Sequence, residues 1–136
     1  MPLVIDASIT LAWCLDDEQS EYAEGILKQV SEDSATVPSL WPIEVANGLL
    51  IAERRGRLSP TEIPRLYSLL SALPIQAAEP SLDRSLGSIL TLARSQDLTA
   101  HDASYLELAM REGLSLATLD ESLRAAAEQA GVELAK

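Results

Sequence analysis

Leu3-Val4-Ile5-Asp6-Ala7-Ser8 is a short apolar run that ends in a carboxylate. Leucine and β-branched residues cut off by Asp-x-Ser, with the helix-compatible stretch Ile9 to Leu15 behind them, read as a buried central strand leading into a helix. Asp6 then stands at the carboxyl end of that strand. Open α/β sheets place their ligands there, because the loops diverge and the helix starts point positive partial charge into the crevice. The competing reading is local, since Asp and Ser are also favoured helix N-caps. What separates the two is whether other acids meet Asp6.

Downstream, strand and helix signals alternate. Ser20 to Glu32 carries Tyr22, Ala23, Ile26, Leu27 and Val30 at helical spacing, and Ala35-Thr36-Val37 is a short extended segment closed by Pro38. Leu40 to Ala52 reads as a helix with Ser39 as its cap and Pro42 in the first turn, and it sets Glu44 and Asn47 on one face. Gly56 ends it, and Ser59-Pro60-Thr61-Glu62 starts a partner helix to about Ala72, making an αα-hairpin. Pro74 to Ala77 is a weaker strand signal, and Ser81 to Ser95 is an amphipathic helix that contains Gly87. A helix from Leu98 to Gly113 contains His101, Asp102 and Tyr105; Leu114 to Thr118 is a strand, Asp120 to Ala130 a helix, and Val132-Glu133-Leu134 a last strand. This rhythm predicts an α/β three-layer sandwich, a central parallel sheet of four or five short strands flanked by helices, over a single domain spanning 1–136.

Composition narrows the function classes. The 136 residues include 47% hydrophobic residues and no Phe, which favours an aliphatic, helix-rich interior. Cys14 is the only cysteine, so no internal disulfide forms and a reducing, cytoplasmic setting is expected. There is no basic leader and no apolar run near the roughly eighteen residues of a membrane span, so a soluble protein with no membrane contact is expected. Ten Lys and Arg against 21 Asp and Glu give a net charge of -11, which argues against a broad electrostatic footprint on nucleic acid and favours cations or a basic partner. A nuclease stays admissible, because metal ions in an acidic site reverse the local charge felt by a phosphate.

Four acids fall where this fold brings elements together: Asp6 after the first strand, Glu44 one turn into a helix, Asp102 opening another, and Asp120 after the strand ending at Thr118. Each has a structural reading. Thr99-x-x-Asp102 is close to a capping box, Asp120 is a good N-cap, and Glu44 suits the positive end of its helix. As a set they have no Lys or Arg beside them, and clustered carboxylates without cations repel and raise one another's pKa. A divalent metal relieves that conflict, and an all-oxygen donor set suits Mg²⁺ or Mn²⁺ in place of Zn²⁺. Such a site activates water for attack on a phosphodiester.

The sequence resembles the PIN domain family, and in particular its VapC-type ribonuclease toxins. The matching motifs are Leu3-Val4-Ile5-Asp6-Ala7-Ser8, Trp41-Pro42-Ile43-Glu44-Val45-Ala46-Asn47, His101-Asp102-Ala103-Ser104-Tyr105-Leu106-Glu107-Leu108-Ala109 and Leu116-Ala117-Thr118-Leu119-Asp120-Glu121-Ser122-Leu123, in order over nearly the whole chain. The resemblance implies a PIN-like fold and a Mg²⁺-dependent endoribonuclease, with Mn²⁺ as a substitute. Asp6, Glu44, Asp102 and Asp120 would be its catalytic, metal-binding acids, with Ser8, Asn47 and Thr118 orienting them. It also implies an RNA substrate, a homodimer, and a VapB-like antitoxin whose C-terminal segment occupies a groove beside residues 40–73. Leu49, Leu50, Ile51, Leu66, Leu69 and Leu70 supply apolar surface there for the core or for a partner.

Other features are weighed beside these. Arg54, Arg55 and Arg57 either touch RNA phosphates or complement a helix C-terminus. Asp16-Asp17-Glu18 reads as a solvated loop, His101 as an exposed residue or a proton donor, and Trp13, Trp41 and Tyr105 as core residues or base-stacking platforms. Two other functions remain in view. One is a partner-binding regulatory subunit without nuclease activity, its acids being caps. The other is an α/β phosphatase using Asp6 as nucleophile, although the Asp-x-Asp expected there has Ser8 at its third position.

Overall fold

The computed structural model describes all residues from Met1 to Lys136. Strand β1 (Leu3–Ile5) lies inside a parallel sheet in the order β3-β2-β1-β4, with β2 at Ala35–Val37, β3 at Ile75–Ala77 and β4 at Leu116–Ala117. Val4 pairs with Thr36 on one side and Leu116 on the other, so β1 has no free edge. All three of its residues are buried, as expected for a strand covered on both faces. The expected last strand is reduced to a single parallel bridge between Leu134 and Leu116. Val132 and Glu133 directly follow the left-handed Gly131 turn, and only Leu134 reaches strand register.

Side-chain alternation along β1 splits the core. Leu3 and Ile5 pack with Ile9, Ile26, Val30 and Val37 under helices α1 (Ala7–Cys14) and α2 (Glu21–Glu32). Val4 faces the opposite layer, where it meets Tyr105, Leu106, Leu116 and Leu123. A third cluster, Cys14, Leu15, Ala52, Leu58 and Leu66, lies under the hairpin of α3 (Trp41–Arg54) and α4 (Ile63–Ser71). Each large aliphatic side chain buried in these layers contributes roughly 1.5–3 kcal/mol relative to exposure. Helix α3 crosses α1 closely at Gly48, where a Cβ would come within 2.5 Å of the Leu11 side chain.

The remaining helices mostly follow local spacing. Helix α7 (Ala100–Glu112) is capped by Thr99 and ends at Gly113, whose φ of 66° is left-handed and therefore suits glycine. Helix α8 (Glu121–Gln129) is capped by Asp120. The segment expected as one helix from Ser81 to Ser95 runs as a single turn, α5 (Leu82–Arg84), then a π-helical turn over Ser85–Ile89, then α6 (Leu90–Gln96). Gly87, a poor helix former, is at the centre of the π turn. The Ser39 cap expected for α3 is absent: Leu40 holds the N-cap position and makes no side-chain cap bond. With Pro42 in the first turn, one amide that a cap would serve is missing. Ser59 does form its capping box with Glu62, through a 3₁₀ turn ahead of α4. No helix is long and apolar enough to cross a membrane.

Candidate active site

The carboxyl end of β1 is the most densely bonded part of the acidic cleft. Asp6 is extended, continues the β1 ladder through its amide to the Ala117 carbonyl, and caps α1 by accepting from the Ile9 amide at 3.2 Å. Its carboxylate also accepts from the Ser8 hydroxyl at 2.6 Å and, through the other oxygen, from the Thr118 hydroxyl at 2.5 Å. The capping role and the clustered role thus coexist. Burial pushes the Asp6 carboxyl up to about 6, against the three donors that favour its charge, and the negative charge of Asp102 adds to the rise. The hydroxyls tie two loops together, since Ser8 accepts from the Leu119 amide and Thr118 from the Asp120 amide, both at 3.0 Å.

The other three acids face the same space with fewer partners. Asp102 lies in the first turn of α7, its amide held by Thr99, and its carboxyl is raised first by partial burial and then by the charges of Asp120 and Glu44. The adjoining His101 and the Thr99 hydroxyl act in the opposite sense. Asp120 caps α8 through the Leu123 amide at 3.1 Å. Glu44, in the first turn of α3, accepts a 2.5 Å bond from the phenol of Tyr105. Burial, and then Glu44, hold that phenol far above its ordinary ionisation range, so it stays a donor. None of the four acids takes part in an ion pair.

These observations fit a hard divalent cation. The donors are all oxygen, two of the carboxyls are raised, and their mutual repulsion meets no Lys or Arg. As they stand, no three acidic side chains are drawn tightly around one point. Asn47 departs from expectation: it is exposed and hydrogen-bonds none of the four, because its position on α3 turns outward. Ser8 and Thr118 both hydrogen-bond the Asp6 carboxylate.

A model of the PIN domain matches residues 3–129. The chain belongs to the PIN domain family. This PIN domain is 35% identical over 127 residues to "Ribonuclease VapC3" of Pyrobaculum aerophilum, a match covering 90% of this chain and 92% of that protein. The crystal structure of PAE2754 from the same organism superposes with a TM-score of 0.71 at 27% identity, covering 93% of this chain and 86% of that one. FitAcB from Neisseria gonorrhoeae shares the fold at a TM-score of 0.66 and 15% identity, over 98% of this chain and 96% of that one. The VapC-type resemblance read from the four motifs and the α/β fold are therefore borne out.

Two residues near the site make contacts that the motifs do not announce. Tyr105 is one turn beyond Asp102, and residues three apart share a helix face, so the spacing carried a signal. Arg124 is four residues after Asp120; it donates to the Thr118 carbonyl at 2.9 Å and stands 5.2 Å over the Tyr22 ring. Elsewhere, Trp13 and Trp41 are tied into the fold by bonds to the Ala23 carbonyl and the Thr10 hydroxyl. Arg57 grips Asp17 and Glu18, which engages it away from either role weighed for it with Arg54 and Arg55, RNA phosphate or the helix C-terminus. In the α3–α4 hairpin, Leu66 is buried while Ile43, Tyr67 and Leu50 are exposed. Trp41, Pro42, Val45, Tyr67, Leu70 and Ile75 line an apolar groove beside it.

Proposed function

We propose that this PIN domain is a metal-dependent endoribonuclease acting as the toxin of a toxin–antitoxin pair, a single-domain cytoplasmic protein that works as a homodimer. The observation that carries this reading is a cleft of four carboxylates without a counter-cation in a chain 35% identical to a ribonuclease. Asp6, Glu44, Asp102 and Asp120 would hold Mg²⁺, or Mn²⁺ in its place. When bound, the ion supplies Lewis-acid stabilisation of the phosphodiester and acidifies a water for in-line attack. The chain's own part is to fix the ligands. Ser8, Thr118 and the Ile9 amide lock Asp6 in one rotamer, and the Thr118–Asp120 amide bond places the fourth acid relative to the first. Asp6 is poorly disposed to act as a covalent nucleophile, because it is 4% exposed and both of its oxygens are engaged.

The apolar groove beside α3 and α4 suits the segment of a VapB-like antitoxin, and a basic residue on that segment would find the uncompensated acids nearby. Arg124, bonded to the Thr118 carbonyl and without a carboxylate partner, would be a cation available to RNA phosphate beside the acids. Cleavage of total RNA by purified, antitoxin-free protein tests the reading. Discrete fragments are expected with Mg²⁺ or Mn²⁺, and none with EDTA or in Asp6→Asn. Intact RNA across varied substrates with the metal-supplied protein would point to a partner-binding subunit instead.

A further inference from the structure

Tyr105 has a hydroxyl that packing alone does not require. The ring is 1% exposed among Val4, Leu106, Leu116 and Leu123, where a Phe of the same shape would bury equally well. A phenol in such surroundings is costly unless its O–H is bonded, and its partner is Glu44 Oε1, 61 residues away on another helix. Glu44 in turn receives no other side-chain hydrogen bond and forms no ion pair. It is the longest of the four acids and has the most rotamer freedom to lose, so it benefits most from an external restraint. Asp6 gets its restraint from three donors and Asp120 from a backbone amide.

We propose that Tyr105 is a positioning residue of the metal centre: it pins one oxygen of Glu44 across the α3–α7 interface and leaves the other to the acidic cleft. Divalent-cation affinity then depends on a residue that touches no metal. The inference rests on the reading of Glu44 as a ligand given above. It predicts a loss within the 10–100-fold range typical of groups that orient metal ligands.

The test is Mn²⁺ binding to RNA-free protein, followed by the electron paramagnetic resonance signal of free Mn²⁺, with thermal unfolding in EDTA measured in parallel. Tyr105→Phe should bind Mn²⁺ about 10-fold or more weakly, while its unfolding temperature in EDTA moves by only a few degrees. Combined with Glu44→Gln it should weaken binding no further than Glu44→Gln alone, because the phenol acts through that carboxylate. Glu44→Asp leaves the core intact and retracts the carboxylate from the phenol, and it should lose affinity by a comparable factor. Wild-type Mn²⁺ affinity in Tyr105→Phe, or losses that add in the double variant, would overturn the positioning role while Asp6→Asn and Glu44→Gln still reported a metal site. Wild-type protein that takes up no Mn²⁺, or uptake unaffected by Asp6→Asn and Glu44→Gln, would overturn the metal reading and the positioning role together.

Discussion

The molecule carries two groups of acids, and it treats them oppositely. Asp16-Asp17-Glu18 is contiguous in the chain, forms one 3₁₀ turn on the surface, and is met by Arg57, whose guanidinium bonds both Asp17 oxygens and Glu18. That partner holds the Asp17 carboxyl below its usual range. The acids of the cleft are scattered through the chain, gathered by the sheet edge, and given hydroxyls and amides but no cation; burial first, and then neighbouring acids, raise Asp6 and Asp102 against those donors. A cluster that the fold neutralises contributes to architecture. One that the fold assembles and leaves charged is arranged for something that comes from outside.

The sharpest way to break this contrast is to neutralise one acid in each group. Asp102→Asn and Asp120→Asn should each lower RNA cleavage by at least about 10²-fold, whereas Asp17→Asn should leave the rate within about twofold of wild type, read from single-turnover cleavage in Mg²⁺. Equal losses in both groups would remove the distinction.

Stability against pH is the next lever, and the sign follows from Asp6. Its carboxyl titrates at about 6 when folded and near 3.8 when unfolded. The native state takes up this proton first as pH falls, so folding becomes more favourable between those values, by up to about 3 kcal/mol. Urea unfolding in EDTA should show a higher midpoint at pH 5 than at pH 7.5, and Asp6→Asn should flatten that rise. Asp17, with its lowered carboxyl, contributes in the opposite sense and only below about 3.8, outside this window. The smallest effect is expected at the paired cluster: Arg57→Ala should lower the unfolding temperature by a few degrees at most, since exposed ion pairs contribute little, with cleavage unchanged.

Much of the architecture was written locally. The apolar Leu3–Ile5 run ending at Asp6, the helical spacing of Ala23, Ile26 and Val30, the Ser59–Glu62 capping box and the glycine stops at Gly56 and Gly113 all rest on neighbours within a few residues. The exceptions are local conflicts as well: Pro42 deprived α3 of the Ser39 cap, Gly87 opened a π turn, and Gly131 left Leu134 as a lone bridge.

The sequence by itself therefore determined the order and phase of the elements, and with them the four acids that reach the sheet edge. The helix-capping bonds of Asp6 and Asp120 are local, but only the tertiary structure decided which distant side chains hold Asp6 and Glu44. Thr118 meets Asp6 across 112 residues, Tyr105 meets Glu44 across 61 and Arg57 meets Asp17 across 40, while Asn47, on the same helix as Glu44, meets none of the acids. Periodicity fixes which face of a helix a residue occupies. The depth and angle at which two helices pack determine which side chains touch, and those depend on contacts such as Gly48 against Leu11 that no single segment encodes.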